Sequence, residues 1–290
     1  MAEGFLNLWK PPGISSHEAV ARVRRATGIS RVGHAGTLDP GAAGVLPLAL
    51  GAFTRLLPYL CLTPKVYRAE VRSGTLTWTG DADGEISARS PQWSWTVEQL
   101  AWAAHWLEGR AWQVPPQVSA LKIKGLRQYR AVRRGAVVWP QPRRVDIARI
   151  GDISVTADGW SFRAEVGSGT YIRALVRDWA VILGQAAHLA ALARERVGSF
   201  DQSDSVALEQ IEEAGSRGRL FLRDWQQHLS LPVSRITEDV FLRVVHGDLR
   251  ALGSLRDEPP GARALVFQER LVAIVDGPPW RYRAVFGEVI

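Results

Sequence analysis

Gly33-His34-Ala35-Gly36-Thr37-Leu38-Asp39-Pro40 sets one histidine and one carboxylate within six residues, on a backbone freed by two glycines and stopped by a proline. Gly41, Gly44 and Gly51 follow closely, a density that suits a loop shaped around a ligand better than a surface turn. On its N-terminal side, residues 5–10 show partial strand alternation and stop at Pro11-Pro12-Gly13. Ser15 with Glu18 three residues on resembles a capping box, predicting a helix that runs to Thr27 and ends near Gly28. On the other side, residues 45–49 form a short apolar run. Residues 65–72 alternate as a strand, and 75–79 suit the next one.

Further out, residues 97–107 predict a helix with Trp102 and Trp106 four apart on one face. Strands return at 144–150 and 160–166, and Gly167-Ser168-Gly169 breaks the chain. Thr170 suits the cap of a helix reaching Leu183, and 186–193 suits another helical stretch. Strands alternating with isolated helices imply a mixed α/β body rather than regular βαβ units. Pro232 marks a boundary. Beyond it, 241–245, 264–268 and 271–275 suit short strands in a β-rich module. The expected domains are therefore 1–232 and 233–290.

The charge is unevenly spread. The 290 residues carry a net +7, yet segment 110–150 alone holds ten Lys or Arg against Asp146. Such a local basic field favours a polyanion. Lys122, Lys124, Arg127, Arg130, Arg133 and Arg134, interleaved with Tyr129 and Trp139, are the candidate nucleic-acid backbone contacts; a solvated basic face is the plainer reading. Cys61 is the single cysteine, so no internal disulfide forms, and its apolar neighbours suggest a buried small hydrophobe. No stretch approaches the apolar length of a membrane span, and the expectation is a soluble cytoplasmic protein.

Asp39 is the leading catalytic candidate, as nucleophile, base or electrostatic stabiliser, although an Asx-type turn before Pro40 also fits it. Arg173, in Gly169-Thr170-Tyr171-Ile172-Arg173, can hold a carboxylate charged through a bidentate pair. It could equally bridge phosphate or pair with Asp178. Tyr67 can stack on an unpaired base or simply pack, and His34 can be an ordinary loop histidine. The acids of Gly80-Asp81-Ala82-Asp83-Gly84-Glu85 lack calcium-loop spacing and suit a polar turn. No His/Cys/Asp/Glu spacing suggests a metal, and no phosphate-loop or dinucleotide pattern appears.

Together these motifs resemble the bacterial tRNA pseudouridine-55 synthase family, the TruB type. Lys10-Pro11-Pro12-Gly13-Ile14-Ser15-Ser16 is similar to its opening motif, and 33–40 continued by Gly44-Val45-Leu46-Pro47 to its catalytic loop. Lys65-Val66-Tyr67, Gln113 with Pro115-Pro116, Ser119-Ala120-Leu121-Lys122, Gly125, Gly169–Arg173 and Gly198 complete the likeness. The resemblance implies an α+β fold, with a mixed, mainly antiparallel sheet, peripheral helices and a PUA-like C-terminal RNA-binding domain. It implies isomerisation of a flipped uridine in the T-arm loop of tRNA, by a monomer without cofactor, metal or obligate protein partner. Asp39, Tyr67 and Arg173 would be catalytic. Lys10, His34, Tyr171, Leu192, Lys122, Lys124 and Arg127 would serve the substrate, Lys10 as support. Arg55, Val118, Ala180, Ala193 and Glu195 depart from the common pattern; Ala193 removes a positive charge and Glu195 adds a negative one near the expected RNA face.

Two other readings stay open at this point. A non-catalytic RNA-folding protein would keep the basic segment without needing Asp39. An aspartate-dependent hydrolase or glycosylase would need a second acid beside it, for which no sequence spacing speaks.

Overall fold

The computed structural model describes residues 4–116, 140–215, 217 and 222–286, and the backbone of 122–123 and 126–127. β1 (Gly4–Lys10) leads into α1 (Ser16–Thr27), and β2 (Val32–His34) and β3 (Ala43–Leu50) bracket the glycine-rich loop. After a 3-10 segment (Gly51–Tyr59) come β4 (Lys65–Ser73), β5 (Thr75–Thr77), β6 (Ile86–Arg89), α2 (Val97–His105) and β7 (Gly109–Gln113). Two short strands follow, β8 (Lys122–Ile123) and β9 (Leu126–Arg127), then β10 (Arg143–Thr156), β11 (Gly159–Val166) and α3 (Ile172–Ile182). β12 (Ala187–Val197), β13 (Phe200–Asp201), β14 (Val206–Ala207) and α4 (Leu208–Ala214) close the body. The rest is β15 (Val233–Arg235), α5 (Glu238–Val245), β16 (Gly261–Phe267), β17 (Arg270–Gly277) and β18 (Arg281–Val285).

The main sheet has ten strands in the order β14-β1-β3-β12-β4-β11-β10-β7, with β2 on β3 and β13 on β12. Only β1–β14 and β3–β12 pair in parallel, so the mixed, mainly antiparallel sheet holds. β4 shows why one face is covered and the other is not. Tyr67, Ala69, Val71 and Ser73 are buried, while Arg68, Glu70 and Arg72 face water. β1 and β3 are buried almost throughout, with core on both sides. α1, α2, α3 and α4 pack one face. On the opposite face, Phe53, Leu56, Trp225 and Leu229 share an apolar cluster with Ala264, Ile274 and Phe286 of the four-stranded β15-β16-β17-β18 sheet.

Ser15 accepts the Glu18 N–H at 3.0 Å and Gly28 ends α1 in the left-handed region, as the sequence predicts. Four local expectations fail. The stretch 186–193 is strand β12, because it runs between β3 and β4 and its apolar residues answer to ladder partners, not helical ones. Residues 241–245 belong to helix α5, whose Val240, Phe241, Val244 and Val245 pack one cluster at helical spacing. Thr170 does not cap α3; Tyr171 stands at the cap position and its N–H goes to Gln113. Cys61 is exposed, with its thiol 3.4 Å from the Thr63 carbonyl.

Candidate active site

The loop between β2 and β3 is pinned from below at several points. Ser16 Oγ takes the Leu38 N–H at 2.9 Å and lies 3.1 Å from the Leu38 carbonyl. Lys10 is wholly buried and donates to the carbonyls of Pro11 and Ile14, both at 2.8 Å, and Pro40, at 3.3 Å. Burial pushes its ammonium down to about 8, against the opposing pull of the Asp39 charge. Arg194 is also buried, and its guanidinium donates to Val45 O at 2.9 Å, Gly36 O at 3.0 Å and Thr37 O at 3.3 Å. Asp39 therefore projects from backbone held on one side by Arg194 and on the other by Lys10. Gly44 allows this arrangement. It has φ +124 and lies so close to β12 that any Cβ would run into the Arg194 backbone.

Arg173 faces Asp39 from the first turn of α3. Its Nη2 is 3.0 Å from Asp39 Oδ2, and its Nη1 donates to Thr79 O at 2.8 Å and lies 3.5 Å from Asp81 Oδ2. Its side chain is 4% exposed, whereas that of Asp39 is 40% exposed. A buried guanidinium needs a counter-charge, and here two carboxylates share it. The start of α3 is fixed by Gln113, which donates to the Tyr171 carbonyl at 3.2 Å and accepts its N–H at 2.8 Å. The Arg143 guanidinium lies 4.6 Å from the Tyr171 ring centroid. Asp178 takes Arg177 at 2.8 Å, which removes the alternative partner weighed for Arg173.

Asp39, Asp81, Asp83, Arg173, Leu189 and Leu192 line a cavity here. Tyr67 is 7% exposed and is not among the lining residues. Its cross-strand partner is Arg194, which makes Leu192, a lining residue of the cavity, its diagonal neighbour on the same sheet face. His34 stands at the end of β2, with its ring edge-on to His17 at 5.4 Å. Lys10 supports the loop and presents nothing to the opening. Lys124 lies outside the described residues, and Lys122 and Arg127 are described only as paired backbone. Val118, Tyr129, Arg130, Arg133, Arg134 and Trp139 also lie outside the described residues.

Sequence reading gave no site role to Asp81 or Arg194 and named Gln113 only as part of the family likeness. The polar turn expected at 80–85 is present, and its Asp81 and Asp83 line the cavity. Arg194 lies in the charged run Arg194-Glu195-Arg196 of β12, and residue type alone does not single it out. Glu195 is buried against Arg68 at 3.0 Å and Arg163 at 2.7 Å, so its charge is matched by two arginines of the sheet. No cluster suited to a metal ion occurs among the described residues.

Residues 24–172 match the family model described as TruB family pseudouridylate synthase, N-terminal domain. The tRNA pseudouridine synthase B of Moorella thermoacetica is 42% identical over 269 residues, covering 89% of this chain and 88% of that protein. The protein of the same name from Thermobifida fusca is 42% identical over 255 residues, 85% and 86% of the two chains. Among solved structures, the fold is shared with a chain of a Cbf5-Nop10-Gar1 complex. The TM-score is 0.69 at 24% identity, over 94% of this chain and 78% of that one.

Proposed function

The chain belongs to the TruB family of pseudouridylate synthases, and on that premise we propose that it isomerises uridine 55 in the T-arm loop of tRNA to pseudouridine through Asp39. The observation that carries this reading is the Asp39–Arg173 pair at 3.0 Å, a half-exposed carboxylate held by a buried cation at the wall of a cavity.

The reaction exchanges an N1–C1′ bond for a C5–C1′ bond. A stacked uridine cannot reach Asp39, so the nucleotide must be extruded into the cavity. Arg173 holds the Asp39 carboxylate in position, and Asp81 helps keep Arg173 in place. The Asp39 carboxylate then supports glycosidic cleavage, either by attack on the sugar or by stabilising positive charge there. The detached uracil turns within the cavity, bonds through C5 and gives up its C5 proton. Tyr67 lies behind Leu192, where a base that enters fully meets its ring. Leu192, Tyr171 and His34 shape the entry. The apolar Leu189 and Leu192 exclude water, which would otherwise turn isomerisation into hydrolysis. The unit from Val233 onward, with its own four-stranded sheet, serves as a second RNA-binding module of the PUA type. The protein acts alone, without a cofactor.

Tritium release from a T-arm stem-loop labelled at uracil C5 tests this. Wild type releases tritium and yields pseudouridine on digestion, and Asp39→Asn does neither. Free uracil in place of the isomer, or equal release by Asp39→Asn, overturns the reading.

A further inference from the structure

We propose that Trp112 and Arg144 form a stacking platform that takes an unpaired nucleotide of the bound RNA, outside the cavity that receives the target uridine. The proposal rests on the reading that the substrate is tRNA. β7 is the last strand of the ten-stranded sheet, and Trp112 on it is 66% exposed. Its antiparallel partner on β10 is Arg144, whose guanidinium stands 5.5 Å from the indole centroid. The next residue, Gln113, points the other way and is buried against Tyr171, and Arg143 stacks on that tyrosine. β10 thus supplies the arginines of two cation–aromatic pairs. One is built into the α3 start beside Arg173, and the other opens on the far face of the sheet edge.

Packing does not account for the second pair, since neither side chain is buried and Arg144 has no carboxylate partner among the described residues. An exposed indole offers a π-face that any nucleobase can stack on, and an arginine beside it meets the phosphate. The charge around it selects RNA over a protein partner. Arg110 lies exposed two residues away on β7, opposite Asp146, and in sequence the segment 110–150 holds ten Lys or Arg against that single acid. A polyanion is attracted to this edge.

The test compares full-length tRNA with the T-arm stem-loop, using the full chain and its Trp112→Ala, Trp112→Phe, Arg144→Ala and Asp39→Asn variants. Trp112→Ala weakens binding of full-length tRNA about 5- to 100-fold, as expected for one lost base stack, and Trp112→Phe restores most of it. Arg144→Ala lowers the slope of log Kd against log salt by about one. The single-turnover rate at saturating RNA stays at the wild-type value in all three. Trp112→Ala binding both RNAs within twofold of wild type, with an unchanged melting temperature, overturns the platform. So does a change of oligomeric state by Trp112→Ala at constant RNA affinity, which assigns the surface to protein contact. Failure of the underlying reading is separate: it shows as wild type binding tRNA without forming pseudouridine.

Discussion

Replacing Arg194 by methionine tests whether the catalytic loop is held from beneath. The substitution keeps most of the side-chain length and leaves the carbonyls of Gly36, Thr37 and Val45 without their guanidinium donors. Each buried carbonyl so stripped costs about 1–3 kcal/mol. Against this stands the relief of a desolvated cation, which costs several kcal/mol to bury. The net expected destabilisation is about 2–4 kcal/mol, or a melting temperature lower by about 5–10 °C. The effect on chemistry is larger in proportion, because a shift of about 1 Å in Asp39 costs about 100-fold in rate. Thermal unfolding and single-turnover pseudouridine formation with saturating T-arm stem-loop read the two effects. Arg194→Lys, with one compact ammonium for three carbonyls, falls between wild type and Arg194→Met. A melting temperature within 1 °C of wild type, together with a rate within about twofold, refutes the idea that this buried cation positions Asp39.

Other outcomes follow from the same geometry. Asp81→Asn slows single-turnover isomerisation by about tenfold with little change in RNA affinity, since Arg173 loses one of its two carboxylates but keeps Asp39; an unchanged rate sinks the positioning role. Gly44→Ala unfolds the protein or sharply lowers its soluble yield, because φ +124 and the Arg194 backbone leave a Cβ no room; wild-type stability on melting contradicts this. His228 is buried, stacked on Phe200 at 4.0 Å, and burial followed by the nearby Arg223 pushes its pKa down to about 4. The unfolded chain therefore binds its proton first as pH falls below about 6.5, and stability drops by about 1.4 kcal/mol per pH unit until about pH 4. Denaturation series between pH 7 and 5 show a shallower slope in His228→Phe, and equal slopes contradict the assignment.

The sequence was most legible where a local rule acts on neighbouring residues. Ser15, Glu18 and Gly28 state both ends of α1, and the alternation of residues 65–72 states β4. It misread 186–193 and 241–245, where short apolar runs satisfy both periods. Which period applies depends on whether β3 and β4, or a cluster beneath α5, lie alongside.

By itself, the sequence determined the family, the basic bias and the identity of the loop that carries Asp39, since all three reside in residue types at fixed spacing. The family likeness pairs Arg173 with Asp39 and makes Lys10 a support; only the tertiary structure decided that Asp81 shares Arg173 and that Arg194 holds the loop. Asp39 and Arg173 are far apart along the chain and meet because β12 runs beside β3 while Gln113 fixes the start of α3. Spacing along a chain carries no information about such meetings. Nor does it say whether a lysine is solvated or buried: Lys10 and Arg194 are ordinary cations until the sheet closes over them and backbone carbonyls accept their hydrogen bonds.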